Sequence, residues 1–464
     1  MSITHDPTTA LTDRQFGELA ASIGGAVLRP GDAGYGQART GYNLAAIRDP
    51  DVVVRAADSD DVAAAVAFAA REDLPVAVIS TGHHATRPIH GGMLIVTEAL
   101  RQIVIDPVGR RAQLGAGVAW GDVLEASLPF GLAPLHGSSP LVGVVGFSLG
   151  GGISPTMGRA HGWAADHVTA LRVVVGDGTE REVSATDDPD LFWAIRGGRS
   201  NVGVVTAIEV ELFPVADFVG GGIFFDGQHA RAVLEAYRAL TDGAPDALTT
   251  SIALLRMPPL PGVPQILAGE FRIHLRVAYQ GPAAEADALL APIRAAAPVL
   301  FDTVAKMPYA DFASIHSDPV DPAPFTERTA MLETLDTEVI DALLAEVGPK
   351  ADPGVEIVEL RQLGGALARI PENPGPVDNR DAAFVLWAVV VGPPPVRTDG
   401  IRDADALIAA VSGWSTGRQY LNFAPDGEDS SPTALYPADA LARLRAIKGR
   451  VDPQNLFRLQ QPLV

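Results

Sequence analysis

The stretch GSSPLVGVVGFSLGGG at residues 137–152 decides how this chain reads. Glycines stand at 137, 143, 146 and 150–152, set among β-branched residues. Glycine this dense permits positive φ and close backbone approach, which a cradle of main-chain amides around a pyrophosphate requires. A run of tight turns in an all-β segment would use the same glycines. The stretch also contains Gly146-Phe147-Ser148-Leu149-Gly150, a G-x-S-x-G match, with 142–145 as the strand that would feed a nucleophile elbow. An elbow must hand over to a helix beneath its serine, yet Pro155, Gly158 and Gly162 follow closely. A Ser148 hydrolase is therefore a rival to a phosphate-cradling loop.

Upstream, the pattern from about residue 50 is βαβ-like. A strand at 52–54 leads to Ser59 as N-cap, with Asp60 and Asp61 in the first helical turn. An alanine-rich helix runs to about residue 72, Pro75 stops it, and 76–79 reads as a buried strand. The loop Ser80-Thr81-Gly82-His83-His84 follows, at a sheet end where ligands usually bind. A solvated loop accounts for His84 and His90, and no carboxylate spacing completes a metal site with them.

Downstream, Asp177-Gly178 signals a hairpin between 171–175 and 180–184, and 204–212 alternates as a half-buried strand. After Pro214 the texture changes. Amphipathic helices at about 230–241, 283–296 and 337–347 alternate with strands at 248–256, 273–279, 355–361 and 384–391. That predicts a second α+β unit, a sheet backed by helices. A helix and the run Asp452-Pro453-Gln454-Asn455-Leu456-Phe457 close the chain.

Bulk properties set bounds. The chain has 464 residues, enough for two cores, and a globular 47% hydrophobic composition. Its formal charge is 35 − 56 = −21, unfavourable for nucleic acid or anionic membranes and suggesting neutral, zwitterionic or mildly cationic substrates. Cysteine is absent, which removes disulfides, thiolate catalysis and cysteine metal sites. The start, MSITHDPTTALTDRQF, lacks a basic-then-apolar leader pattern, so a soluble cytoplasmic protein is expected.

Taken in order, the motifs resemble the FAD-linked oxidases of the vanillyl-alcohol-oxidase / p-cresol-methylhydroxylase (PCMH) superfamily, in the berberine-bridge-enzyme-like group. They are Gly82-His83, Gly91-Gly92, Gly115-Ala116-Gly117-Val118, Pro140-Leu141-Val142-Gly143 with the triple glycine, Gly162, Asp166, Asp190-Leu191-Phe192-Trp193, Asn201-Val202-Gly203, Tyr420-Leu421-Asn422-Phe423 and the closing Asp-Pro-Gln-Asn-Leu-Phe. The resemblance implies an α+β fold: a two-part, PCMH-type FAD domain over 1–213 (core about 46–213), a substrate domain over 214–415 with an antiparallel sheet backed by helices, and a returning segment over 416–464. It implies an 8α-histidyl flavin link through His83. Backbone amides of Ser80, Thr81, Gly82, His83 and His84, and of Gly143, Gly146, Gly150, Gly151 and Gly152, would hold the cofactor. Val205 would lie by the adenine and Asn422 would point toward the flavin edge. Gly146–Gly150 is then a cofactor loop rather than an elbow.

The departures from the family pattern carry information. Ser139 stands where many relatives place a second, cysteinyl tether, so FAD can be held singly only. Thr81 replaces a glycine, and Ser154 replaces another after the triple glycine. Phe423 replaces the tyrosine that often serves as base, and Leu386 aligns with the glutamate of the plant alkaloid enzymes. Tyr420 and Glu359 remain as candidate proton acceptors, Glu359 with a pKa raised by burial if it faces the flavin. Phenylalanine at this place resembles a bacterial, enterocin-favorskiiase-like branch that carries out oxygenating oxidations on polyketide-like substrates. The expectation is an FAD oxidase using a small-molecule substrate and dioxygen, as a monomer or homodimer. An oxygenase-type enzyme and a flavin-binding protein without turnover are the alternatives beside the hydrolase.

Overall fold

The computed structural model describes residues 11–83, 88–259, 263–392, 398–425, 431–459 and 463. The βαβ expectation near residue 50 holds. Val52–Arg55 and Val76–Ile79 both pair in parallel with Met93–Val96, and the helix Ser59–Arg71 connects the first two. That helix buries Val62, Ala65, Val66 and Ala69 on one face. Its N-cap is Asp58, not Ser59: the Asp58 carboxylate accepts from the Asp61 N–H at 3.0 Å, so the helix begins one residue earlier than read.

A five-stranded antiparallel sheet follows, in the order Glu180–Ser184, Val168–Val174, Val204–Glu211, Arg111–Gly115, Ile103–Asp106. The hairpin read at Asp177-Gly178 joins its first two strands. The third sheet has eight antiparallel strands, including Val219–Asp226, Phe271–Tyr279, Leu248–Arg256, Ile357–Gln362, Phe384–Val391 and Phe325–Leu332 in spatial order. The helices Ala230–Thr241, Ala283–Arg294, Thr337–Val347 and Thr398–Ala410 cover one of its faces, with Leu234, Leu290, Leu343 and Leu407 packed on Ile252, Leu275, Leu360 and Leu386. The α+β fold is thus a helix-backed antiparallel sheet beside a four-stranded and a five-stranded sheet, with two further strand pairs among the described residues. No helix among the described residues is long and apolar enough to cross a membrane.

Two devices join the parts. The last helix, Ala438–Val451, buries Leu441, Leu444 and Ile447 against Leu114, Val173 and Ile195. Beyond it, Asp452 accepts from Lys448 Nζ at 2.7 Å and from the Leu456 and Phe457 amides at 2.7 and 3.1 Å, while the Leu456 carbonyl accepts from Val76. The closing motif is therefore a carboxylate knot that ties the chain's end to the first sheet. Between the small sheets and the large one, Arg159 is the rivet. Its buried guanidinium donates to the carbonyls of Leu248 (2.8 Å), Ala244 (2.9 Å) and Leu363.

Candidate active site

The strand Val76–Ile79 ends at Ser80, and there the chain bends. Gly82 takes φ +64°, a left-handed geometry that favours glycine, whereas Thr81 does not carry a positive φ. The β-branched Thr81 is therefore accommodated without the strain that its replacement of a glycine suggested. Gly82 also abuts Gly41: a Cβ on Gly82 would lie 2.6 Å from the Gly41 Cα. This contact brings Tyr42 over His83, with ring centroids 3.8 Å apart and planes 12° from parallel. Gly41 and Tyr42 had no motif to announce them. His84 lies outside the described residues.

The glycine run meets this loop at Gly143, where a Cβ would fall 3.3 Å from Thr81 Oγ1 and 3.8 Å from Ser80 Oγ. The buried hydroxyls of Ser80 and Ser148 make no hydrogen bond among the described residues. Residues Val144–Leu149, containing Gly146, form a short helix, so Ser148 sits inside a helix rather than on a strand-to-helix elbow. Its side chain is fully buried and has no histidine partner among the described residues, which removes the hydrolase geometry. Gly150, Gly151 and Gly152 then turn the chain, the last two at φ +107° and +73°. Val205 is buried in the five-stranded sheet beneath.

The returning segment closes over these glycines. Asn422 donates through Nδ2 to the Phe147 carbonyl (2.9 Å) and to the Tyr420 hydroxyl (3.1 Å), and accepts from Arg199 through Oδ1. The Tyr420 hydroxyl also accepts from the Ile153 N–H at 2.9 Å. Tyr420 is 1% exposed, and burial pushes its pKa up. A hydroxyl already accepting two donors, with its proton held more tightly than usual, is a strut and not a base. Phe423 stands edge-on to Tyr420 and stacks on Trp387 at 4.5 Å.

Trp387 comes from the large sheet, on the face opposite the helices. Leu386 points the other way, into the helix-side core, so the alignment that put Leu386 at the site is one residue out of register. The site-side face carries buried polar residues: Ser251, His274, Arg276, Glu327, Thr329, Glu359 and Arg361. Glu359 has no exposed surface and pairs with Arg276 (2.8 Å) and Arg361 (3.1 Å), with His316 at 3.8 Å. Burial alone would raise its pKa, as anticipated from sequence. Arg361 and Arg276 outweigh that effect and hold the carboxyl well below the usual range. Glu359 is thus held as an ion-paired carboxylate, a weaker proton acceptor than the raised pKa expected from sequence would make it. Arg361 lies 4.9 Å above the Phe423 ring, linking the sheet to the segment that closes the glycine loop.

Residues 50–184 match the family model for the FAD binding domain, and residues 419–463 match that for berberine and berberine like proteins. The (R)-6-hydroxynicotine oxidase of Paenarthrobacter nicotinovorans is 27% identical over 453 residues, covering 94% of this chain and 96% of that protein. The FAD-linked oxidoreductase YgaK of Bacillus subtilis (strain 168) is 26% identical over 450 residues, covering 95% and 96%. In fold, the chain superimposes on 6-hydroxy-D-nicotine oxidase from Arthrobacter nicotinovorans with a TM-score of 0.82 at 23% identity, over 96% of this chain and 98% of that one. It superimposes on Physcomitrella patens BBE-like 1 at 0.83 and 20%, over 97% and 99%.

Proposed function

The chain is an FAD-linked oxidoreductase of the berberine-bridge-like group, and we propose that it works as an oxidase of a small organic molecule with FAD tethered once, through His83. The observation that carries this reading is the meeting of the His83 loop with the glycine run. Two buried hydroxyls, of Ser80 and Ser148, have no hydrogen-bond partner among the described residues, and Gly143 at the start of the glycine run approaches Thr81 and Ser80. Such a cradle fits a phosphorylated cofactor, because main-chain amides and hydroxyls can serve phosphate oxygens without a cation.

In this proposal the amides of Ser80, Thr81, Gly82, His83 and His84 and of Gly143, Gly146, Gly150, Gly151 and Gly152 hold the pyrophosphate, and Val205 borders the adenine. His83 carries the tether, oriented by Tyr42 against its face. Asn422, held at three points, sets the rim of the flavin bay. Residues 1–213 and 416–464 build the cofactor part and 214–415 the substrate part. FAD, when bound, supplies two-electron acceptance and reoxidation by dioxygen. The large sheet's polar face lies across from the glycine loop and forms the floor on which a substrate rests.

The test is acid precipitation of purified protein. A yellow pellet from the parent and a colourless one from His83→Ala are expected. A colourless parent pellet overturns the tether. Release of hydrogen peroxide across alcohols, oligosaccharides and phenolic polyketides then separates an oxidase from a flavin binder without turnover. Labelled dioxygen appearing in the product would identify the oxygenase-type alternative.

A further inference from the structure

The site-side face of the large sheet is ordered in two rows that run across the strands. Register places Arg276, Ser251 and Arg361 side by side in one row, and His274, Ala253, Glu359 and Trp387 in the next. Ser251 is thus a small residue flanked on both sides by arginine, with Ala253 behind it. The two arginines flank Ser251 and both reach Glu359 in the next row, one from each side. Their donors are barely used. Among the described residues Arg361 gives one hydrogen bond, from Nη2 to Glu359, and its buried Nε has no partner. Arg276 pairs with Glu359 through Nη1 and donates to His274 Nδ1 through Nε. The Thr249 hydroxyl, two residues along the strand from Ser251, is also without a partner among the described residues. Ser251 Oγ makes no hydrogen bond of good geometry, although it lies close enough to Glu359 to help keep that carboxylate ionised.

The charges do not balance inside this cup. It holds two guanidiniums and one carboxylate, while burial, and then Arg276, keep His274 and His316 neutral. Glu327 shares the face but is turned to the other end of Trp387, accepting from its Nε1 at 2.9 Å. A buried guanidinium left with unused donors is costly unless a ligand supplies oxygens. Arginine's planar fork suits a two-oxygen anion better than a hydroxyl.

We propose that Arg276, Ser251 and Arg361 form a receptor for an anionic oxygen group, a carboxylate or an acidic enolate or phenolate, on the organic substrate. Glu359 is the positioning residue that holds the two arginines apart and aimed. The inference rests on the oxidase reading above and narrows its substrate class. For a phenolate or enolate whose own carbon framework is oxidised, the oxygen has already given up its proton before hydride leaves, and no separate base is needed for that step. The chain's overall charge of −21 argued for neutral or cationic substrates; immediately around Ser251, two guanidiniums stand against the single carboxylate of Glu359.

The experiment titrates flavin-loaded protein with paired probes, following the visible flavin band and, independently, the heat of binding. The pairs are benzoate, salicylate and 1-hydroxy-2-naphthoate, each against its methyl ester. The parent is expected to bind at least one acid tenfold or more tightly than its ester. Arg361→Gln and Arg276→Gln should each abolish that preference, the acid losing at least tenfold more affinity than its ester. Where either variant fails to fold, Ser251→Val, which adds bulk between the two arginines and keeps both, should weaken the acid more than its ester. Equal affinity for acids and esters in the yellow parent overturns the receptor and leaves the oxidase reading standing. A parent that retains no flavin overturns both.

Discussion

Oδ1 of Asn422 occupies the space that a side chain on Gly150 would need, while Nδ2 of the same residue donates to the carbonyl of Phe147 at 2.9 Å. The returning segment thus fills the glycine loop with its own amide, and the two regions, 272 residues apart in the chain, cannot be changed independently.

Gly150→Ala should therefore expel Asn422. The loss of its hydrogen bonds and the forced shift should cost about 2–3 kcal/mol. A lower flavin-to-protein absorbance ratio and an earlier thermal transition are expected. An unchanged ratio would show that Asn422 has no part in closing the bay.

Tyr420→Phe removes the acceptor for the buried Ile153 N–H and for Asn422 Nδ2. About 1–3 kcal/mol of stability should go with it, from the desolvation of a donor left unpaired. Turnover at saturating substrate should fall little, because this hydroxyl is a strut. A thousandfold drop in kcat with unchanged stability would make it catalytic after all.

Arg159→Met strips three buried carbonyls of their donor at the seam between the sheets. A loss of about 3–5 kcal/mol is expected, on the scale of breaking a buried charged network. The midpoint of urea unfolding should report it.

Acid sensitivity should come partly from His136. Its Nδ1 faces the Gly137 carbonyl at 2.7 Å and its Nε2 the Tyr309 hydroxyl at 2.8 Å, with Thr156 joining at 2.7 Å from Tyr309. Burial lowers the histidine to about 4, only partly opposed by the Gly137 bond. An unfolded histidine titrates near 6.5, so between the two values the unfolded chain takes up a proton that the folded chain refuses. Stability is complete above about pH 6.5 and should fall by about 3 kcal/mol as pH drops to 4. His136→Gln should show a shallower fall than the parent over that window; parallel curves would contradict it.

Much of this was legible locally. The helices Ala230–Thr241 and Thr337–Val347 and the strand Phe384–Val391 fall where their apolar periods put them, because packing on one face writes a period into the chain. The order of glycines led to the proposed cofactor loop for the same kind of reason, since a backbone that must approach closely admits few residues. What escaped was set by long-range pairing. Which of Leu386 and Trp387 faces the site depends on strand phase, and a uniformly apolar strand does not declare it. The pKa of Glu359 turned on Arg276, 83 positions away and two strands over. His136 and Tyr309, 173 residues apart, meet only once the sheets are docked.

The contact between Asn422 and Gly150 also has a consequence in time. A ribosome adding roughly 5–20 residues per second needs on the order of 15–50 s to travel from one to the other. Throughout that interval the nascent glycine loop lacks its lock. Cofactor capture thus belongs to the finished polypeptide, and a translation product halted short of residue 419 should emerge colourless however well its first sheets have formed.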